Sequence, residues 1–124
     1  MEDRRGKGGS GKRFLTHVTV RQRERVIVVK VDQVDRLEAA GDYVKVHLGR
    51  STHLLDDTMK ALEARLDPER FVRIHRSHIV NVDRIRELEP FFHGDYVVRL
   101  TDGTKLRLSR GRGEALERAI GRSL

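Results

Sequence analysis

Residues 71–85 place four basic side chains between two short apolar runs, and this stretch has the clearest capacity for recognition chemistry. The guanidinium of Arg76 is a planar fork of donors, and the imidazoles of His75 and His78 can donate at ring nitrogens. Phosphate oxygens and the edge of guanine are acceptors that suit such donors. The four basic residues, all predicted to be exposed, are Arg73, His75, Arg76 and His78.

The apolar residues on either side indicate how these side chains are held. Those at 71–74 and at 79–85 can anchor two successive strands, so the backbone at 75–77 is fixed from both sides. Ser77 and Asn81 can bond to nearby backbone groups and stabilise the turn. We interpret Asn81 as structural for this reason.

Other chemistries fit the same residues poorly. His75 and His78 have a spacing that could share a metal on a helix, but no cysteine or third ligand accompanies them. Ser77 lies beside both histidines, yet neighbours on a turn do not form a nucleophile–base relay. The glycine-rich segment Gly6–Lys12 does not follow a strand and precede a helix, as a phosphate-binding loop does. No catalytic residue, metal or cofactor is predicted.

Length and charge restrict the class of protein. The chain has 124 residues and no cysteine, which suits one compact core and excludes a disulfide framework. A formal net charge of +7 points to an anionic partner, and nucleic acid is the commonest one for a small basic domain. The apolar runs are too short to span a membrane and no signal-peptide core is visible, so a cytoplasmic location without a membrane partner is expected.

The pattern of apolar and polar residues predicts a predominantly β domain at residues 14–124. Residues 1–13 are rich in glycine and basic side chains, and we interpret them as a disordered basic arm, a linker or a remnant of cloning. The remainder predicts about eight to ten short strands. Besides the two that flank residues 75–77, they are Phe14–Arg21, Arg25–Val31, Val34–Ala40, Tyr43–Leu48, Ser51–Leu55, Arg84–Glu89, Tyr96–Leu100 and Lys105–Leu108.

Two helices and one tight turn complete the prediction. Apolar residues recur at helical spacing in an amphipathic helix at about residues 56–66, with Asp56 and Asp57 as candidate N-terminal caps. The pair Asp102-Gly103 predicts a hairpin turn with positive φ angles. A short cationic helix is predicted at about residues 110–120.

Residues 71–81 also resemble the central signature of a known family. The matching pattern is Phe71-x-Arg73-x-His75-Arg76-Ser77-x-x-Val80-Asn81, similar to that of the LytTR DNA-binding domain, the effector module of many bacterial response regulators. Flanking pieces match in order: Leu37–Ala39 and Gly41–Val44 upstream, then Asp102-Gly103 and Leu108–Arg110 downstream. The resemblance covers roughly residues 14–120. It implies an elongated stack of small β-sheets that presents loops, rather than a recognition helix, to DNA.

The resemblance further implies three loop regions that enter successive grooves on one side of a bent duplex. The first, residues 41–45, carries Asp42, Tyr43 and Lys45; the second, residues 75–77, carries His75, Arg76 and Ser77; the third, residues 109–112, carries Arg110 and Arg112. Arg76 is the strongest candidate for a base contact, because its fork can pair with O6 and N7 of guanine. The alternative for Arg76 is a surface salt bridge to Glu38 or Asp42.

Several of these candidates have open alternatives. His75 either contacts DNA or fixes the loop through a backbone carbonyl. One of Arg110 and Arg112 is expected to contact DNA, since Gly111 interrupts the basic pattern of the family at this point. Asp42 stands where the family commonly has an amide, and its carboxylate would repel a phosphate unless it accepts from the amino group of cytosine.

We therefore expect sequence-specific binding of double-stranded DNA by a bacterial transcription regulator. The resemblance implies paired direct repeats as targets, two copies of the domain per site, and a receiver or sensory domain upstream in a longer parent chain. Two alternatives are a generic nucleic-acid binder, for RNA for example, and a protein-interaction module that pairs through exposed β edges. Binding to nucleic acid should weaken steeply with salt, whereas a mainly apolar protein contact should not.

Overall fold

Short antiparallel strands make up most of the chain. A computed structural model of the protein describes residues 13–124, and within them the chain forms ten strands and two α-helices, which confirms the predicted β architecture. Most of the predicted arm, residues 1–12, lies outside the described residues. The elements are β1 (His17–Gln22), β2 (Arg25–Lys30), β3 (Arg36–Ala40), β4 (Tyr43–Leu48), β5 (Ser51–Leu55), α1 (Met59–Arg65), β6 (Phe71–His75), β7 (His78–Asn81), β8 (Ile85–Pro90), β9 (Tyr96–Leu100), β10 (Lys105–Leu108) and α2 (Gly113–Ile120).

Five of the strands form a central sheet in the order β5-β4-β3-β7-β6, with every neighbouring pair antiparallel. The pairing of β3 with β7 joins segments that are far apart in sequence, with Leu37 opposite Ile79 and Glu38 opposite His78. Because β3 ends beside the start of β7, the β3–β4 turn and the β6–β7 turn leave the sheet at the same end.

The central sheet separates two apolar cores. On one face, Ile79 packs in a core that includes Leu62 of α1 and Val20 of the β1–β2 hairpin. On the other face, Val80 packs in a second core that includes Leu116 of α2 and the three-stranded sheet β10-β9-β8. Ile79 and Val80 are adjacent in sequence and both almost fully buried, so β7 supplies consecutive residues to opposite cores. Burial on both faces accounts for the unbroken apolar run, and each such side chain contributes about 1.5–3 kcal/mol.

Helix α1 begins later than the sequence predicts. Its N-cap is Thr58, whose hydroxyl oxygen accepts a hydrogen bond from the Ala61 N–H at 3.0 Å. The prediction that Asp56 and Asp57 cap the helix was therefore wrong, and Asp57 instead accepts from the N–H of Thr58 at 2.8 Å. A threonine with an extended backbone can reach the free N–H groups of the first turn, which is what a cap requires. Leu62, which belongs to the predicted apolar stripe of this helix, is fully buried.

The C-terminal helix also begins later than predicted. Since α2 spans Gly113–Ile120, Arg110 and Arg112 lie in the loop that precedes it. Gly111 explains the late start, because its φ of 84° is a left-handed conformation that a continuous helix excludes. Leu116 is fully buried and fixes the helix on the second core.

The β9–β10 turn differs from the prediction in its backbone. Gly103 has a φ of 90°, but Asp102 is not left-handed, so only one of the two predicted positive angles is present. The N–H of Gly103 donates to the Leu100 carbonyl, and the N–H of Leu100 donates to the Thr104 carbonyl, both at 2.9 Å. This is a three-residue loop that ends in a glycine bulge. The Thr104 N–H also donates to the Asp102 carboxylate, which lowers the pKa of Asp102.

The β1–β2 hairpin forms a separate two-stranded sheet. β1 begins at His17 rather than at the predicted Phe14, and β3 begins at Arg36 because residues 31–33 form a 3-10 turn. On β2, Val26 and Val28 are 57% and 63% exposed. Among residues 13–124 no further strand pairs with β2, so it is an open edge with an apolar outer surface.

Candidate nucleic-acid interface

The three loop regions lie side by side at one end of the central sheet. Ala39, which precedes the first region, donates its N–H to the carbonyl of Ser77 in the second region at 2.9 Å. On the other side, Ser109 of the third region donates its N–H to the carbonyl of Ile74 at 2.7 Å. The second region therefore occupies the middle position, with a backbone hydrogen bond towards each neighbour.

Arg76 stands at the tip of the β6–β7 hairpin. Its side chain is exposed, and within residues 13–124 it forms no ion pair or hydrogen bond. The alternative of a salt bridge to Glu38 is not realised, since Glu38 instead lies 2.9 Å from Nε2 of His47. The backbone of Arg76 is fixed, because its carbonyl accepts from Nη2 of Arg73 at 2.6 Å. A fixed backbone with a free guanidinium is the geometry that a recognition residue needs.

His75 and Ser77 are partly buried beside this tip. The N–H of Ser77 donates to Nδ1 of His75 at 3.1 Å, so the imidazole stabilises the turn by accepting from an amide rather than by donating to a carbonyl. In the neutral ring this bond places the proton on Nε2. His75 thus combines a structural bond at one nitrogen with a donor at the other.

The first loop region is a two-residue turn followed by the start of β4. Ala40 pairs with Tyr43, and Gly41 at the turn has a φ of 62°. The candidates Asp42, Tyr43 and Lys45 are all exposed. Their side chains form no ion pair or hydrogen bond with the described residues, so all three are available to a partner.

The third loop region distinguishes its two arginines. Arg110 has a side chain that is 77% exposed, and its Nε lies 3.2 Å from the carboxylate of Asp95. Arg112 is 32% exposed, and its Nη1 lies 3.4 Å from both the carboxylate of Glu63 and the carbonyl of Arg73. Arg110 therefore points to solvent, whereas Arg112 is directed towards the protein.

The four basic residues of the central stretch are not equally exposed, and the prediction that all four avoid burial was wrong for three of them, since Arg73 and His78 are partly buried as well as His75. The side chain of Arg73 is 16% exposed and donates to Glu63 at 3.0 Å. His78 is half-buried, and its Nδ1 has no partner within residues 13–124. Burial lowers the pKa of His78, although the charge of the facing Glu38 acts in the opposite direction.

The base of the β6–β7 hairpin contains a buried polar network. Asn81 is 1% exposed; its Nδ2 donates to the carbonyl of Val34 at 2.9 Å, and its Oδ1 accepts from the N–H of Asp83 at 3.0 Å. Next to it, Nε of Arg84 donates to the carboxylate of Asp35 at 2.7 Å. These contacts support the structural interpretation of Asn81.

Several positioning residues could not be found by sequence reasoning. Glu63 lies on the exposed side of α1 and has no pattern that predicts its two arginine partners. Asp95 follows a loop and contacts both Arg107 and Arg110. Asp35 and Arg84 meet only because β3 pairs with β7. The sequence offers one signal for such positioning residues, which is a short polar side chain next to an apolar run. This signal identified Asn81 as a structural residue.

Much of the remaining basic charge is compensated within the protein. Arg99 lies 3.1 Å from the carboxylates of both Glu87 and Glu89. Arg36 lies 3.6 Å from Glu38. Arg76 differs from these paired arginines in that its guanidinium has no partner among the described residues.

Two further observations concern the described residues only. Residues 13–124 contain no helix whose length and apolar character would allow it to cross a membrane. No three histidine or carboxylate groups in this part of the chain converge in a way that could hold a metal ion.

Known proteins are similar to this chain in sequence. Residues 24–121 match the family model described as the LytTr DNA-binding domain. The chain is 29% identical over 97 residues to the sensory transduction protein LytT of Bacillus anthracis, covering 78% of this chain and 39% of that protein. It is 34% identical over 79 residues to the transcriptional regulatory protein YpdB of Escherichia coli, covering 64% of this chain and 32% of that protein.

A solved structure shares the fold as well. The LytTr DNA-binding domain from Bacillus cereus superimposes with a TM-score of 0.76 and 25% sequence identity, covering 86% of this chain and 98% of that one. By contrast, the chain spans only about two fifths of the length of LytT and about a third of YpdB. The similarity is therefore to one domain of these longer relatives.

Proposed function

The chain belongs to the LytTR family of DNA-binding domains, and from this premise we propose that it recognises specific sequences of double-stranded DNA through its three loop regions. The single observation that carries the proposal is the row of loops at one end of the sheet, with the free guanidinium of Arg76 at its centre. The function is binding rather than catalysis, and it belongs to a bacterial transcription regulator acting in the cytoplasm.

Arg76 is proposed to read a base, because a bidentate contact to guanine discriminates against other bases by about 1–3 kcal/mol. Ser77 and the Nε2 donor of His75 contact the same groove or its phosphates. Lys45 and Tyr43 contact the backbone next to it. Such phosphate contacts set the register of a protein on the duplex without selecting a sequence.

In the third region, Arg110 is proposed to contact DNA and Arg112 to position the loop. The difference in exposure between their side chains supports this assignment. Asp42 contributes only where a cytosine amino group faces it, since its carboxylate would repel a phosphate.

The spacing of the loops predicts how the recognised bases are arranged. The first and second regions are separated by two strand spacings, or about 10 Å. This distance equals about three base-pair rises of 3.4 Å, so side chains of different lengths and a bent duplex are needed for the two regions to reach different grooves. A preferred sequence should therefore consist of short separated elements.

The rest of the regulator is proposed from the length of the relatives. Residues 14–124 form the DNA-binding domain, and a receiver or sensory domain lies elsewhere in a longer parent chain. We further propose that two copies bind paired direct repeats, as the family resemblance implies. Phosphorylation or another signal received by the missing domain would then control how often two copies meet on DNA.

The test is selection from a randomised duplex pool at about 150 mM salt, where the screening length is about 8 Å and nonspecific attraction is weakened. Wild type should enrich a motif, and Arg76→Ala should lose the preference at one position of it. Arg70→Ala is the matched control, because Arg70 lies just before β6 at the opposite end of that strand and is similarly exposed. The proposal fails if wild type enriches nothing.

A second candidate function is suggested by the open edge of β2. Val26 and Val28 are exposed there, and an extended segment of another protein could add a strand to this edge. Such a contact would depend on apolar burial and would persist at a salt concentration that abolishes DNA binding. Protein binding that survives high salt, without any duplex preference, would favour this candidate.

A further inference from the structure

Glu63 lies on α1, outside all three loop regions, yet it contacts the supports of two of them. One carboxylate oxygen, Oε1, accepts from Nη1 of Arg73 at 3.0 Å. The other, Oε2, lies 3.4 Å from Nη1 of Arg112. A single carboxylate therefore bridges two guanidinium groups that come from different parts of the sequence.

Arg73 extends this contact to the second loop region. While Nη1 is bound to Glu63, Nη2 donates to the carbonyl of Arg76 at 2.6 Å. The planar guanidinium fixes the angle between these two bonds. The position of the hairpin tip is thus linked to α1 through one side chain that is 16% exposed.

Arg112 extends the contact to the third region. It is the residue before α2, and its N–H donates to the carbonyl of Ser109 at 3.2 Å, which closes the loop that carries Arg110. Its Nη1 also lies 3.4 Å from the carbonyl of Arg73 on β6. The third loop region is therefore bound both to α1 and to the strand that leads into the hairpin tip.

We propose that Glu63 is a positioning residue that couples the second and third loop regions, so that Arg76 and Arg110 act on DNA as one unit. The inference rests on the proposed function and deepens it by naming the residue that sets the relative geometry of two DNA contacts. An isolated surface ion pair has little effect, but a carboxylate shared by two arginines that also bind backbone carbonyls forms a network.

The substitution that tests this is Glu63→Gln. A carboxamide has one acceptor oxygen, so it can bind one of the two arginines but not bridge both. Glu63 is itself 44% exposed, so the fold should tolerate the change. Glu69→Gln is the matched control, because it removes the same charge from an exposed side chain that has no partner within the described residues.

The measurement is a double-mutant cycle on the selected duplex, with Arg76→Ala, Arg110→Ala and the pair in each background. With Glu63 present, the loss in affinity for the pair should differ by about threefold or more from the product of the single losses, as for residues in one network. In Glu63→Gln the losses should multiply to within about twofold. Glu69→Gln should retain the coupling.

Independent losses in wild type, or unchanged coupling in Glu63→Gln, would overturn the proposal. A second readout does not need DNA: amide hydrogen exchange at Ser77 and Arg112 should accelerate in Glu63→Gln and not in Glu69→Gln. If wild type shows no duplex preference, the proposed function fails, and the exchange measurement alone then decides whether Glu63 links the two loops. Unchanged exchange at both amides would overturn the link.

Discussion

The two ends of the β6–β7 hairpin hold their polar side chains in opposite environments, one exposed and one buried. At the tip, the guanidinium of Arg76 is exposed and forms no ion pair or hydrogen bond within residues 13–124. At the base, Asn81 is almost completely buried, with its amide nitrogen and oxygen both bonded to backbone. Only four residues therefore separate a side chain without a partner among the described residues from one whose polar atoms are all hydrogen-bonded.

This contrast explains how the fold can present a polar group to a ligand. A buried polar group without a partner is costly, so the base must be complete before any ligand arrives. An exposed group remains bonded to water and can exchange that water for DNA at little cost. The proposed base-reading residue Arg76 is thus a donor left free on a backbone that other residues hold in place.

Breaking the base should have the largest effect. Asn81→Ala leaves the carbonyl of Val34 and the N–H of Asp83 without their partners, and should lower the free energy of unfolding by about 3 kcal/mol. Urea denaturation measures this directly. Arg76→Ala should lie within about 0.5 kcal/mol of wild type in the same experiment. Equal losses for the two variants would mean that tip and base do not differ as described.

The third loop region allows the same comparison between two arginines. Arg110→Ala should weaken duplex binding about tenfold with no change in thermal stability, because its side chain is exposed at the proposed interface. Arg112→Ala should lower the free energy of unfolding by about 1 kcal/mol, because its contacts lie within the protein. Fluorescence anisotropy and thermal unfolding separate the two. The reverse result would exchange the roles of the two residues.

A smaller effect is expected for a contact that positions without reading. Lys45→Ala should weaken binding to all duplexes by less than about 1 kcal/mol and reduce the slope of log K against log salt by about one. Lys30→Ala is the control, since Lys30 ends β2 and lines the same cleft as Phe71, the first residue of β6, at the end of that strand opposite to the hairpin tip. A change of sequence preference in Lys45→Ala would show that Lys45 also distinguishes between bases.

The smallest effect concerns pH and the half-buried His78 beside the tip. Burial lowers its folded-state pKa below the ordinary 6.5, so the unfolded chain binds a proton more readily than the folded protein. Stability should therefore be complete above pH 6.5 and decrease as pH falls towards the folded-state value. His78→Gln should remove this part of the pH dependence of urea midpoints, whereas His17→Gln, on the exposed face of β1, should keep it.

The carboxylate of Glu38, which faces His78, affects stability in a separate pH range. Partial burial of Glu38 acts to raise its pKa, but the hydrogen bond with His47 and the charge of Arg36 outweigh it, and the pKa is lowered. The stability contributed by Glu38 is then present above its ordinary pKa of 4.5 and lost only at lower pH. A pH dependence confined to values below 4.5 would show that His78 contributes nothing.

Local sequence patterns predicted most helices and strands, whereas the helix cap and the surroundings of the site residues depend on backbone geometry and long-range contacts. The bounds of β4, β5, β9 and β10 agree with prediction because each is a short alternating or apolar run between turn residues. The cap of α1 was missed because Asp57 and Thr58 have similar propensities and only the backbone geometry selects one. The distinct environments of Arg110 and Arg112 depend on Asp95 and Glu63, which sequence spacing does not connect.

The adjacent burial of Ile79 and Val80 in opposite cores has a consequence for folding fidelity. A slip of β7 by one residue would exchange the two side chains between the cores, and each core would still receive an apolar group. Hydrophobicity alone therefore cannot define the register of this strand. The amide of Asn81 can, because only the native alignment gives it all its partners, and a misaligned chain would bury it unpaired. The buried Asn81 thereby selects, among nearly equivalent alignments, the one that presents Arg76 at the hairpin tip.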